Sequence, residues 1–154
     1  MRIVLDTNVL ARAVRGGTGP AAELLGIVMV PPHTFILSPF LLSELSRALR
    51  YPRMRKLHKL DDAQLDAYMQ SLQAAALVVN PPTSAVASVV SADPDDDPIV
   101  ATAVAGQAEV LCTRDRHLQS PAVRAYCSGA GIQILTDIEL LQILRAGSSP
   151  INLP

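Results

Sequence analysis

The sequence has few of the residues that mark several common kinds of binding site. Aromatic residues make up only 3% of the 154 residues and tryptophan is absent, so base stacking on exposed rings is not expected to drive binding. The two cysteines and three histidines are scattered and show no zinc-ligand spacing. No apolar run approaches the roughly 20 residues that span a bilayer. These absences disfavour a membrane protein, a zinc protein and an aromatic platform for nucleic acid.

Length and hydrophobic content indicate one folded domain. Hydrophobic residues make up 49% of the 154 residues, which excludes intrinsic disorder and suits a single core. We expect the domain to occupy residues 1–146, and residues 147–154, which lack periodicity, to form a disordered tail. No basic segment followed by an apolar one opens the chain, so we expect no signal peptide. Cysteines in the reduced state then favour a cytoplasmic location.

Short apolar runs alternate with amphipathic segments along the chain. The runs are typical of strands buried on two faces, and they cover residues 3–5, 34–37, 77–79, 109–113 and 131–135. Helical patterns lie between most of them, and a further short helix is expected within residues 84–90. This alternation predicts an α/β fold with three layers, α/β/α, around a central, mainly parallel sheet of about five strands.

Acidic residues are placed near the ends of these predicted strands. Asp6 directly follows the first strand, and Asp115 follows the fourth. Glu44 lies about one turn inside the helix that begins after the second strand, and Asp97 stands at the start of an apolar helix. Because parallel strands end at one edge of a sheet, where ligands collect, the four acids are expected to converge there.

Two of these acids also have a purely structural explanation. Glu44 can form a salt bridge with Arg47 on the same helix, and an aspartate before Pro98 is a strong helix-start signal. Residues 93–97, however, contain four aspartates, more than one helix cap needs, and such repulsion is usually relieved by a cation or by exposure. The neighbouring Asp96 leaves open which carboxylate of this segment faces the site.

Close carboxylates repel each other unless cations lie between them. A donor set made only of oxygen selects hard ions such as Mg²⁺ or Mn²⁺. Two such ions about 3.5–4 Å apart can activate water and stabilise the leaving oxygen in phosphodiester cleavage. The spacing of the acids is compatible with such a site but does not specify it.

Basic residues are concentrated in one segment. Six of the thirteen lysines and arginines lie within residues 47–59, together with His58. Such a segment can hold a polyanion by a salt-sensitive electrostatic attraction. It can equally be a solvated helix end, and the sequence leaves both explanations open.

Four motifs, in order, resemble those of the PIN-domain nucleases. The run Ile3-Val-Leu-Asp-Thr-Asn-Val-Leu10 is similar to the opening motif, and Ser43-Glu44-Leu45 is similar to the second. Asp93-Pro-Asp-Asp-Asp-Pro-Ile-Val-Ala-Thr-Ala103 resembles the third, especially among the VapC-like toxins of toxin–antitoxin pairs. Leu111-Cys-Thr-Arg-Asp115 resembles the fourth. The resemblance extends from Arg2 to about Leu144.

The resemblance implies a PIN-like fold and a metal-dependent nuclease that uses Mg²⁺ or Mn²⁺ to hydrolyse single-stranded or looped RNA. The catalytic, metal-binding acids that it implies are Asp6, Glu44, Asp97 and Asp115. The residues that it implies for orienting carboxylates or water are Thr7, Asn8 and Thr113. The implied partners are RNA, an antitoxin protein and a second copy of the chain, for which the helices between residues 39 and 72 are candidate contacts.

One position departs from the family pattern. Many relatives carry another acid two residues after the acid of the fourth motif, and here that position is His117. The departure can weaken a second metal site, can leave His117 to contact substrate, or can have no functional consequence.

Two other functions compete with that of a toxin nuclease. One keeps the fold and makes the protein a non-toxic RNA-processing nuclease or a catalytically weak RNA-binding PIN module. The other is a phosphatase of the aspartyl-phosphate type. The latter is disfavoured because Asn8 stands where that chemistry normally requires a second acid.

Overall fold

The central sheet has five strands, and all of its pairings are parallel. The structure, a computed structural model, describes residues 1–14, 17–82 and 94–147. The central strand β1 pairs with β2 and β4, so that Ile3 lies opposite Phe35 on one side and Val110 on the other. The spatial order is β3-β2-β1-β4-β5 for the strands β1 (Arg2–Leu5), β2 (Thr34–Leu37), β3 (Leu77–Val78), β4 (Val110–Cys112) and β5 (Gln133–Leu135).

Helices connect the strands and cover the sheet. Successive side chains of a strand point to opposite faces, and Ile3, Val4 and Leu5 are all fully buried, so both faces are covered and the three-layer α/β/α prediction is confirmed. None of the described helices is long and apolar enough to cross a membrane. The described helices are α1 (Thr7–Val14), α2 (Pro20–Val28), α3 (Pro39–Arg50), α4 (Pro52–His58), α5 (Asp62–Ala75), α6 (Asp97–Ala105), α7 (Pro121–Gly129) and α8 (Asp137–Gly147).

Two helices were not expected from the sequence. In the sequence, Pro52 ends the helical pattern that precedes it, which predicts a stop to α3 and no new helix. It also occupies the first turn of α4, where its missing N–H costs nothing. Helix α7 begins after Ser120, whose side chain caps Val123. The short helix expected within residues 84–90 lies outside the described part of the chain. Of the tail expected at residues 147–154, Gly147 is the last residue of α8, and the rest lies outside the described part.

A buried hydrogen bond ties α3 to α6. The Thr102 hydroxyl on α6 donates to Ser38 Oγ over 2.8 Å, and Ser38 in turn caps α3 by accepting from the Leu41 N–H. Helix α6 is followed by Gly106, where a Cβ would lie 2.7 Å from a side-chain carbon of Ile36. Only glycine therefore allows so close an approach to β2. These contacts link α3, which carries Glu44, to α6, which begins at Asp97.

Candidate functional site

A cavity of about 720 Å³ opens at the carboxyl edge of the sheet. Four acids from separate elements line its described wall: Asp6 after β1, Glu44 on α3, Asp96 before α6 and Asp115 after β4. The structure thus brings together residues that the sequence spreads over more than one hundred positions. The other described lining residues are Thr7, Asn8, Ala11, Phe40, Arg47, Ala48, Asp95, Pro98 and Ile99.

Asp6 is the most deeply buried of these acids. Asp6 is 3% exposed. Its backbone N–H donates to Cys112 O over 2.9 Å, and this hydrogen bond continues the pairing of β1 with β4. Its Oδ2 accepts from the Thr113 hydroxyl at 2.6 Å and from Asn8 Nδ2 at 2.7 Å. Burial raises the pKa of Asp6, the Thr113 hydrogen bond opposes that rise, and the nearby charge of Asp115 adds to it. A buried carboxylate is therefore held by neutral donors.

Thr113 links Asp6 to Asp115. Its hydroxyl gives its proton to Asp6 and accepts from the Asp115 backbone N–H at 3.0 Å. Asn8 closes the network, because its Oδ1 accepts from the Arg114 N–H at 3.3 Å. Asn8 and Thr113 are thus placed to orient carboxylates, the role that the sequence resemblance implies for them. Thr7 lines the cavity, and its backbone N–H bonds to the Asp6 carboxylate.

The acidic segment before α6 presents Asp95 and Asp96 to the cavity. Asp96 occupies the N-cap position of α6, and its side chain makes no capping hydrogen bond to that helix. Asp97, the ligand implied by the resemblance, is the first residue of α6 and is not one of the described residues that line the cavity. Of the two adjacent acids that the sequence left open, Asp96 is the one on the cavity wall.

Glu44 lines the cavity and is also engaged in an ion pair. Arg47 Nη2 lies 2.6 Å from both of its carboxylate oxygens. The salt bridge that offers a structural explanation for Glu44 is therefore present. Both residues line the cavity, however, so the guanidinium of Arg47 also lies within the site.

His117, whose role the sequence left open, lies beside the acids. Ligand atoms of Asp96, Asp115 and His117 all lie within 4.8 Å of one another. The sequence signal was the position itself, because His117 stands where many relatives have a further acid. The distance between His117 and Asp96 depends on the turn after β4, which the hydrophobic periodicity of the sequence does not predict.

A second buried acid lies close to this edge of the sheet. Asp137, the first residue of α8, is 1% exposed, and its Oδ1 accepts from Arg114 Nε at 2.6 Å. An acid in the first turn of a helix is common simply because the helix dipole favours it, so sequence analysis missed the buried pairing of Asp137 with Arg114. Arg114 and Asp137 line a neighbouring polar cavity of about 230 Å³ together with Arg12 and the segment 18–21.

Much of the basic segment is engaged within the protein. Arg50 pairs with Asp66 at 2.6 Å and Arg55 with Asp62 at 2.5 Å, so both link this segment to α5. His58 is buried, and its ring nitrogens bond to Leu49 O and the Leu60 N–H. Of this segment, Arg47 is the residue that lines the described wall of the cavity. Of this segment, Arg47 and the exposed residues Arg53, Lys56 and Lys59 therefore stay candidates for contacting a polyanion.

The donor set fits a divalent cation. Four aspartates and one glutamate paired with arginine border a single cavity, and among the described residues no lysine or arginine is paired with Asp6. Oxygen donors in such an arrangement are typical ligands for Mg²⁺ and Mn²⁺. A cation would also offset the repulsion between Asp6 and Asp115 that contributes to the raised pKa of Asp6.

Comparisons with known proteins agree with this fold. Comparison with curated proteins gives no match. A chain in the crystal structure of VapBC2 from Rickettsia felis, bound to a DNA fragment from the VapBC2 promoter, matches with a TM-score of 0.57 and 14% sequence identity. The match covers 88% of this chain and 98% of that chain, and at this identity it shows a shared fold. The sequence profile of the PIN domain matches residues 2–117, which is more than half of the chain. The chain therefore belongs to the PIN domain family, a family of nucleases.

Proposed function

We propose that this PIN-domain protein is a divalent-metal-dependent endoribonuclease and the toxin of a toxin–antitoxin pair. The observation that carries the proposal is the environment of Asp6. This carboxylate is buried, is held by the neutral side chains of Asn8 and Thr113, and faces a cavity that it shares with Asp115 and Glu44. Burying a charge is costly unless a cation accompanies it. A cation supplied from solution would fulfil that role.

The residues that would hold the metal are Asp6, Asp115, Glu44 and an aspartate of the segment before α6. The sequence resemblance favours Asp97, and the wall of the cavity favours Asp96. When bound, a divalent ion supplies an activated water and neutralises negative charge on a phosphate. This is the chemistry required to hydrolyse a phosphodiester bond.

The protein's own groups would prepare the site for that reaction. Thr113 and Asn8 fix the direction of the Asp6 carboxylate, and the Asp115 N–H is bound by the same threonine. Arg47 would contribute a cation toward the substrate backbone once Glu44 is engaged elsewhere, because it already lies on the cavity wall. Such contacts position a phosphate but do not select a sequence.

RNA is proposed as the substrate because of the motif resemblance to VapC-like toxins. The structural likeness to a chain of VapBC2, whose name denotes a two-component complex, supports an antitoxin protein as partner. A homodimer and a cytoplasmic location complete the proposal. A non-toxic RNA-processing nuclease or a weakly catalytic RNA-binding module is the competing function.

The central test is cleavage of a mixed RNA pool with Mg²⁺ or Mn²⁺ by the protein and by Asp6→Asn. We expect cleavage by the unmodified protein and a loss to background in the variant. Asp66→Asn is a matched control, because Asp66 is an exposed acid paired with Arg50 on a different surface, and it should retain activity. Equal cleavage by all three proteins would point to a contaminating nuclease and would refute the catalytic proposal.

The toxin role has a separate test. Expression of the protein alone should arrest growth, expression of Asp6→Asn should not, and a small neighbouring gene should encode a protein that relieves the arrest. Cleavage in vitro without arrest in vivo would favour the RNA-processing nuclease. No saturable Mn²⁺ binding in calorimetry would favour the binding module.

A further inference from the structure

We propose that His117 is a metal ligand and that its nitrogen makes the site prefer Mn²⁺, or a later first-row ion, over Mg²⁺. The inference rests on the proposed metal site and concerns which ion that site takes. It assigns a role to the one position at which the fourth motif departs from its family. It also predicts a property of this chain that an all-carboxylate site would not have.

The position of the imidazole carries the inference. Ligand atoms of His117, Asp96 and Asp115 lie within 4.8 Å of one another, so a single ion can reach all three with small side-chain adjustments. His117 Nδ1 is buried and makes no hydrogen bond in the part of the chain that the structure describes. It lies 3.6 Å from Asp115 Oδ1, which is too far for a hydrogen bond. The nitrogen is therefore close to the acids without being bonded to them.

The turn after β4 holds the imidazole in this place. The His117 N–H donates to Asp115 Oδ1 at 2.7 Å, and the carbonyl of His117 accepts from the Ser120 N–H at 3.2 Å. The next residue, Leu118, is fully buried and anchors the turn in the core. The histidine backbone is thus fixed on both sides, which limits the positions that its ring can take.

A buried polar atom without a partner is costly. Three explanations for His117, structural, substrate-contacting and metal-binding, differ in what would supply the partner of Nδ1. A purely structural histidine would hydrogen-bond to Asp115, and the separation argues against this. A histidine that only contacted substrate would not need a nitrogen turned toward the acids, whereas Nδ1 is buried beside the Asp115 carboxylate although the side chain is 36% exposed. A metal ion held between Asp96 and Asp115 would give Nδ1 the partner that it lacks.

A nitrogen ligand changes which ion binds best. Mg²⁺ favours an octahedral shell of oxygen and keeps several waters. Imidazole suits transition metals, and the affinity of a mixed nitrogen and oxygen site rises from Mn²⁺ toward the later ions. A site with an acid at position 117 would gain charge for Mg²⁺ and lose this selectivity. The substitution in this chain should therefore move the preference toward transition metals.

The direct test is electron spin-echo envelope modulation of Mn²⁺ bound to the purified full chain, with no RNA present. We expect modulation from a directly coordinated ¹⁴N in the unmodified protein and its loss in His117→Asp, which can still donate oxygen. His33→Gln is the matched control, because His33 lies at the opposite, amino end of the sheet, before β2, and it should keep the signal. Bound Mn²⁺ without nitrogen modulation in the unmodified protein would overturn the inference.

Metal affinities provide a second, independent measurement. We expect calorimetry to give tighter binding of Mn²⁺ than of Mg²⁺, and His117→Asp to reduce the ratio of the two affinities by about tenfold or more, since loss of even an outer partner of a metal ligand costs about 10–100-fold. An unchanged ratio would overturn the inference. Neither measurement uses RNA, so failure of the proposed nuclease function would appear separately, as metal binding without cleavage.

Discussion

Two buried aspartates near the carboxyl edge of the sheet are neutralised in different ways. Asp6 follows β1 and is 3% exposed, and Asp137 follows β5 and is 1% exposed. Asp137 receives a hydrogen bond from the guanidinium of Arg114. Asp6 receives hydrogen bonds only from neutral groups in the described part of the chain, among them Thr113 and Asn8. Within the described residues, one charge is balanced by a cationic side chain and the other is not.

The difference separates a structural acid from the acid that we propose to be functional. The paired Asp137 ties the start of α8 to the segment after β4 and needs nothing further. Asp6 is buried at a cost that its neutral partners only partly offset, since its pKa remains raised. Proteins retain such perturbed groups mainly at functional sites. Among the described residues no cationic side chain pairs with Asp6, and this is the feature that distinguishes the proposed metal site from the rest of this edge.

The largest effect on stability should come from breaking the balanced pair. Arg114→Met leaves the Asp137 carboxylate buried without a cation, and we expect the free energy of unfolding to fall by about 2 kcal/mol, less than for a fully buried pair because Arg114 is one-third exposed. Denaturant titration measures this loss. Arg116→Met, which changes an exposed arginine two residues away, is the control and should stay within about 0.5 kcal/mol of the unmodified protein.

The same titration on Asp6→Asn in the presence of a chelator completes this test. Because no protein cation is paired with Asp6 among the described residues, removing its charge should lower stability by less than Arg114→Met does. A loss as large as that of Arg114→Met would mean that the two aspartates are held alike, and the distinction between them would fail.

A smaller effect is expected at the neutral partner of Asp6. Thr113→Val keeps the shape of the side chain and removes the hydroxyl that donates to Asp6. We expect stability to fall by about 1 kcal/mol and Mn²⁺ affinity in calorimetry to fall about 10–100-fold, because partners of metal ligands hold them in position.

Thr102→Val provides the matched control for this prediction. The Thr102 hydroxyl is also buried and also donates to a neutral side chain, that of Ser38, but it binds none of the metal-site acids. The control should lose a similar amount of stability and keep its Mn²⁺ affinity. A loss of affinity in both variants would show that the effect is a general loosening of the fold.

The parts of this edge that the sequence predicted are those set by strand order. Asp6 and Asp115 follow strands that are buried on both faces, and any parallel arrangement brings their ends together. The choice between Asp96 and Asp97 could not be made in this way. Successive residues in a helical start differ by about 100° in direction, and a 3₁₀ turn at residues 94–96 precedes α6. That turn determines which carboxylate reaches the cavity.

The other features that sequence analysis missed are one long-range ion pair and the starts of two helices. Arg114 and Asp137 are 23 positions apart and meet only because β4 and β5 are neighbours, which no local pattern reports. The start of α7 had a local signal, because Ser120-Pro121 repeats the serine and proline that open α3. Pro52 was interpreted as a stop signal although the same residue is favoured in a first helical turn.

Glu139, an exposed acid in the first turn of α8, should have the smallest effect on stability, and that effect should depend on pH. It accepts from the Thr136 N–H at 2.7 Å and from the Thr136 hydroxyl at 2.8 Å, and these bonds lower the pKa of Glu139 below its ordinary value of 4.5. A lowered pKa in the folded state means that the unfolded chain binds the proton more readily. The contribution of the Glu139 charge to stability is therefore complete above pH 4.5 and is lost as the pH falls through the pKa of the folded state.

In Glu139→Gln, which cannot titrate, melting temperatures should fall less steeply below pH 4.5 than in the unmodified protein. Because Glu139 is exposed and its partner is neutral, the change should be smaller than those at Arg114 and Thr113. An equal change of melting temperature with pH in the two proteins would show that the hydrogen bonds between Thr136 and Glu139 act without the charge of Glu139.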